Sequence, residues 1–173
     1  MKRCIILFLI LLNLFSFAGC KQKKTDFVEP VVFYYCSDIT DNNISDASFH
    51  NVFVPETHEG AGFSNDAVGL LSLYLNGPLA QDLVSPFPSG MTVIAVQTNN
   101  EKTTIILSDE FAELTGLDLT IACTCLAMTV FQWNECDFVE ISAESVLLDK
   151  QSSITIEREK LVFSDNAYVF ADD

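Results

Sequence analysis

The stretch LYLNGPLAQDLVSPFPSGMTVIAV, Leu73 to Val96, decides the fold. A helical apolar pattern stops at Asn76-Gly77-Pro78, and an extended pattern begins just after Pro86-Phe87-Pro88-Ser89-Gly90. On the helical side, Ala67, Leu70, Leu71, Tyr74 and Leu75 recur at the spacing of one helix face, and Ser64 or Asn65 is placed to cap the start. Gly77 can enter the left-handed region that closes a helix and Pro78 cannot continue one, so backbone sterics alone end the element. On the extended side, Ser89-Gly90 turns the chain into a strand over 92–97. Asn99-Asn100-Glu101 then reverses it into a partner strand over 103–107, which makes a hairpin.

Outward from this centre, the sequence predicts strands over Val31–Tyr35 (VVFYY) and residues 49–54 (FHNVFV), separated by an Asn/Asp/Ser-rich loop. Residues 56–65 read as a Gly-rich connection. A second helix is predicted over about residues 118–133, with Leu119, Ala122, Cys123, Leu126, Val130 and Trp133 on one face. Thr120, Ile121, Thr124, Thr129 and Val130 lower its intrinsic propensity, so packing must hold it. Strands follow over 138–142, within 153–163 and near 168–170. Strand, strand, helix, hairpin, helix, strand implies an α+β two-layer sandwich: a small, mainly antiparallel sheet covered on one face by two helices.

The first residues belong to targeting rather than to fold. Met1-Lys2-Arg3 is a basic start, Ile5 to Phe15 is apolar apart from Asn13, and Phe17-Ala18-Gly19 supplies small residues before Cys20. This has the form of an export signal, too short for a membrane-spanning helix of about 20 residues. The cysteine directly after Ala-Gly resembles the lipobox of bacterial lipoproteins, with Phe17 where that pattern usually has Leu. The resemblance implies a mature chain that begins at Cys20 and carries acyl chains such as palmitate there. The expected organisation is a signal peptide over 1–19, a lipid anchor and tether over 20–30, a domain over 31–149 and a C-terminal extension over 150–173 whose strands pack on the domain. The expected location is the outer, extracytoplasmic side of the cell membrane.

With 24 acidic and 9 basic residues, the chain carries a formal charge of −15. From Thr25 onward only Lys102, Lys150, Arg158 and Lys160 are positive. Such a surface repels phosphates, which argues against nucleic acid as a partner. Lys21, Lys23 and Lys24 beside the anchor do the reverse, since each can contribute on the order of 1 kcal/mol against anionic headgroups.

Four cysteines remain in the body: Cys36, Cys123, Cys125 and Cys136. On a shared helix Cys123 and Cys125 point about 200° apart and cannot bridge each other. Two readings stay open: small buried core residues, or one long-range disulfide such as Cys36 with Cys136. No zinc spacing is present, and no metal or cofactor is expected. His50 and His58 with Glu56 and Glu59 form the one His/carboxylate concentration, which could offer a hydrolytic base or a weak metal site but lacks the three-ligand pattern of catalytic zinc. Asp109-Glu110 could pair as acid and base, and Ser108 would need His50 or His58 from upstream. Solvated loop charge is the preferred reading of these residues over either chemistry.

Taken together, LLSLYLNGP, PFPSGMTVIAV, TTIILSDEF, LAMTVFQW and VEIS resemble, in order and spacing, the GerM or sporulation and spore germination domain. Leu70, Leu71, Leu75, Gly77, Pro78, Pro88, Gly90, Val93, Leu107, Ser108, Phe111, Leu126, Thr129, Phe131 and Val139 carry the resemblance. It implies an interaction module without known catalysis, related in fold to ring-building domains of envelope assemblies, with an envelope protein as partner and self-association as a further option. Binding of cell-wall glycan or a small ligand is the alternative, and hydrolysis ranks below both.

Overall fold

The computed structural model describes residues 30–37, 53–59, 66–164 and 167–170. The signal, Cys20, the tether up to residue 29 and His50 lie outside these residues. Among the described residues, three groups of strands and two α-helices build the body. A three-stranded antiparallel sheet has the order β2-β1-β3, with β1 at Val31–Ser37, β2 at Phe53–His58 and β3 at Leu83–Val84. A four-stranded sheet has the order β4-β5-β6-β7, with β4 at Val93–Thr98, β5 at Lys102–Leu107, β6 at Phe138–Ala143 and β7 at Ile154–Glu157. Its β5-β6 pair is parallel, and the other pairs are antiparallel. A terminal hairpin joins β8 at Leu161–Ser164 to β9 at Ala167–Phe170.

The helices are α1 at Ala67–Leu75 and α2 at Gly116–Trp133. The class is the expected α+β with mainly antiparallel strands, but the strands are divided over separate sheets rather than gathered in one. A helix apolar on every side is either a membrane span or a core helix. α2 is the second: it packs on β1 of one sheet and on β6 and β7 of the other, and every residue from Ala122 to Phe131 is buried. The sequence reading of a single apolar face on this helix is therefore too narrow. It crosses over between the parallel strands β5 and β6, a link that a two-residue turn could not make.

Local chemistry explains most element ends. The Asp66 carboxylate caps α1 by accepting the Gly69 N–H at 2.8 Å, where the sequence reading expected Ser64 or Asn65. Gly77, at φ +92°, closes the helix as its sequence requires. Gly90, at φ +84°, makes the turn into β4. At the hairpin, Asn99 Oδ1 accepts the N–H groups of Glu101 and Lys102 at 2.9 and 2.7 Å.

The second strand departs from the expected bounds. The predicted segment over 49–54 lies partly outside the described residues, and the observed strand runs on through Pro55 to His58, into the region read as a connection. Pro55 faces Tyr34, whose N–H turns to the opposite side and donates to Thr129 Oγ1 on α2 at 3.0 Å. The proline thus occupies a register position at which no ladder donor is needed. Buried Val31, Phe33, Tyr35, Leu70, Leu71, Tyr74 and Phe111 join Ile105, Leu107, Leu126, Val139 and Ile141 in one core.

Candidate functional site

The strand β1 ends against an open groove of about 520 Å³. Cys36 lines it from β1, Pro86 and Phe87 from the loop after β3, and Leu114, Asp118 and Ile121 from the approach to α2 and its first turns. Cys36 is half-buried. Its thiol hydrogen-bonds the thiol of Cys125, which is fully buried on α2. That bond holds the Cys36 thiol below its ordinary range against the opposing effect of burial. Burial, and then the Cys36 partner, push the Cys125 thiol well up. One half-buried, more acidic thiol therefore adjoins one buried, less acidic thiol.

The other two cysteines are elsewhere. Cys123 faces the opposite side of α2, toward Ile154 and Ile156 of β7, and burial raises its thiol to about 12. Cys136 is buried and accepts the Thr103 hydroxyl at 3.4 Å. All four are free thiols in the structure. Cys36 and Cys136, the pair offered by the sequence, are both free thiols, the first on β1 of the three-stranded sheet and the second just before β6 of the four-stranded one.

The histidine and carboxylate candidates serve the fold. His58, 7% exposed, contacts Glu56 through Nε2 and Oε2. The same carboxylate accepts the N–H groups of Leu79 at 3.1 Å and Ala80 at 2.7 Å, and so fastens the chain that follows Gly77-Pro78 onto β2. Burial works against ionising Glu56, but these donors and His58 outweigh it and leave its carboxyl below the usual range. Glu59 is exposed beside the pair. Ser108 Oγ accepts the Thr92 N–H at 2.9 Å and locks the β4–β5 hairpin, while Asp109 Oδ1 accepts the Ser145 N–H at 2.8 Å. Glu110 is exposed, its carboxyl lowered chiefly by the Ser108 hydroxyl. The partners of Ser108 and Asp109 are main-chain N–H groups rather than a histidine. Among the described residues, no three His, Cys, Asp or Glu side chains gather as a metal site.

Sequence reasoning named Cys36 but missed Cys125 as its neighbour. The available signal was Thr129, four residues from Cys125 and so on the same helix face; its use required knowing that this face meets β1.

No family model and no curated protein matches the chain. Among solved structures it is similar to the tandem GerMN domains of the sporulation protein GerM from Bacillus subtilis, with a TM-score of 0.48 and 13% identity, over 74% of this chain and 42% of that one. It is also similar to a candidate lipoprotein from Clostridium perfringens, with a TM-score of 0.42 and 14% identity, over 78% of this chain and 92% of that one. The chain thus spans less than half of the tandem-domain structure. The domain that the sequence resembles is among these structures. Both likenesses concern the fold, and neither carries an argument about what the chain binds or does.

Proposed function

We propose that the chain is a non-catalytic lipoprotein, anchored through Cys20 to the extracytoplasmic side of the cell membrane, whose GerM-like body serves in envelope or sporulation and germination assemblies. The observation that carries this reading is the N-terminal sequence: a basic start, an apolar run and Phe17-Ala18-Gly19-Cys20, followed by Lys21, Lys23 and Lys24. Two acyl chains at Cys20 would hold the protein firmly, since a single chain binds a membrane only marginally. The lysines then lie against headgroups while the acidic body stands away from them. Support for a non-catalytic body comes from Glu56, His58, Ser108 and Asp109, each of which has a polar atom engaged in a bond that holds loops and strands.

Labelling cells with a radioactive fatty acid tests the anchor. Label is expected on the wild-type chain and lost in Cys20→Ala; absence of label, or label that survives the substitution, overturns it. The groove beside Cys36 favours a second reading, binding of a small ligand or wall glycan. Co-sedimentation with purified cell wall, set against crosslinking to membrane proteins in intact cells, discriminates the two: sedimentation without a protein crosslink promotes the second.

A further inference from the structure

We propose that Cys36 and Cys125 form a redox pair that closes into an intramolecular disulfide joining β1 to α2, with Cys36 as the thiol that meets the oxidant. The geometry begins at the Tyr34 N–H, which donates to Thr129 Oγ1 at 3.0 Å. A bond from main-chain nitrogen to so short a side chain brings strand and helix backbones close together. From that contact, Cys36 lies two residues onward along β1, about 6.6 Å at strand rise. Cys125 lies four residues back along α2, about 6.0 Å at helix rise and on the same face. The two steps match in length, and α2 packs along β1, so the close approach at Tyr34 and Thr129 sets Cys36 and Cys125 at facing positions of strand and helix. Disulfides require this kind of approach between backbones.

Exposure assigns the roles. Cys36 lines the open groove, whereas Cys125 is fully buried, so a disulfide-bearing oxidant reaches Cys36 first. The Cys36 thiolate attacks one sulfur of the oxidant, forming a mixed disulfide and releasing one oxidant thiolate. Cys125 then attacks Cys36 Sγ, and the second oxidant thiolate leaves with the Cys125 proton as a thiol. Two protein thiols are oxidised and one oxidant disulfide is reduced to two thiols. Cys123 and Cys136 take no part, the first facing β7 and the second bonded by Thr103. In cells the pair rests on the extracytoplasmic location proposed above, because oxidising compartments are where disulfides persist.

The test uses the full chain, purified from membranes in detergent and equilibrated with oxidised glutathione. Remaining thiols are alkylated and the chain is cut with a glutamate-specific protease, which cleaves after Glu135 and separates Cys125 from Cys136. A crosslinked peptide pair containing Cys36 and Cys125 is expected, still formed in Cys123→Ser. The bridge should also raise the thermal midpoint by about 5 °C or more relative to the reduced chain. Cys36→Ser, at the half-exposed position, should abolish that dependence on redox state without unfolding the reduced protein. A bridge to Cys136 or Cys123, or full alkylation of both cysteines after oxidation, overturns the pair. Alkylation in intact cells reads the location separately: a chain that bridges with glutathione but is fully alkylated in cells overturns the extracytoplasmic reading and leaves the pair standing.

Discussion

At the scale of single residues, Arg158 shows how one side chain holds several ends together. Its Nε donates to the Cys136 carbonyl at 2.9 Å, Nη2 to Asn134 at 2.6 Å and Nη1 to Phe131 at 3.3 Å, while the guanidinium lies 4.4 Å from the Phe131 ring centre. These are carbonyls at and just beyond the C-terminus of α2, where a cation is favoured and acceptors would otherwise lack donors. Arg158→Ala should lower stability by about 2 kcal/mol in urea unfolding, and Arg158→Lys should recover only part of that, since an ammonium cannot span three carbonyls. Glu56 gives a second residue-scale expectation. Its folded pKa lies below the unfolded value of about 4.3, so its contribution is full above that pH and is lost as pH falls through the folded value. Urea midpoints measured between pH 3 and 7 should therefore drop on the acid side, and Glu56→Gln should flatten part of that drop. Glu140, lowered first by the Lys102 hydrogen bond and then by Ser153, should supply a remaining slope of the same sign.

At the scale of elements, α1 and β1 are stitched by two phenols. Tyr35 donates to the Tyr74 carbonyl at 3.0 Å, and Tyr74 donates back to the Tyr34 carbonyl. Burial first, and then the charge of Glu56, raise the Tyr35 pKa; burial dominates the rise at Tyr74. Both phenols contribute stability below the unfolded pKa of about 10 and lose it as pH rises toward their folded values. Alkaline titration followed by tyrosinate absorbance should show two of these groups ionising only as the protein unfolds, and Tyr74→Phe should cost about 1–2 kcal/mol at neutral pH. Such pairing across the core was hidden in the sequence, whereas elements set by local rules were legible. The Asn76-Gly77-Pro78 stop, the hairpin around Asn99 and the strand from Phe138 were all readable to within a residue or so, because turn chemistry and alternation are local signals. β3 was missed, since two residues leave no period to read. The full burial of α2 and the Cys36–Cys125 contact were missed for another reason: both depend on which sheet a helix face meets, which only the assembled fold determines. Of the candidate site, Cys36 was therefore visible and its partner was not.

At the scale of the whole molecule, the charge balance sets a prediction of its own. Beyond Thr25 the acidic residues face only Lys102, Lys150, Arg158 and Lys160. Two lysine–carboxylate pairs are present among the described residues, Lys102 with Glu140 at 2.7 Å and Lys160 with Glu157 at 3.6 Å. The second is solvent-exposed, where a pair contributes about 0–1 kcal/mol, and the first is partly buried. Repulsion among the many unpaired carboxylates acts over a longer range and opposes compaction. Salt screens both, but the repulsion is the larger sum, so raising sodium chloride from about 10 mM to 0.5 M shortens the screening length from roughly 30 Å to under 8 Å and should stabilise the fold. The thermal midpoint is expected to rise along that series by a few degrees. A midpoint that instead falls with salt would mean that the exposed pairs, and not the acidic surplus, govern the body's electrostatics, and the account of an acidic domain held away from anionic headgroups would lose its physical basis.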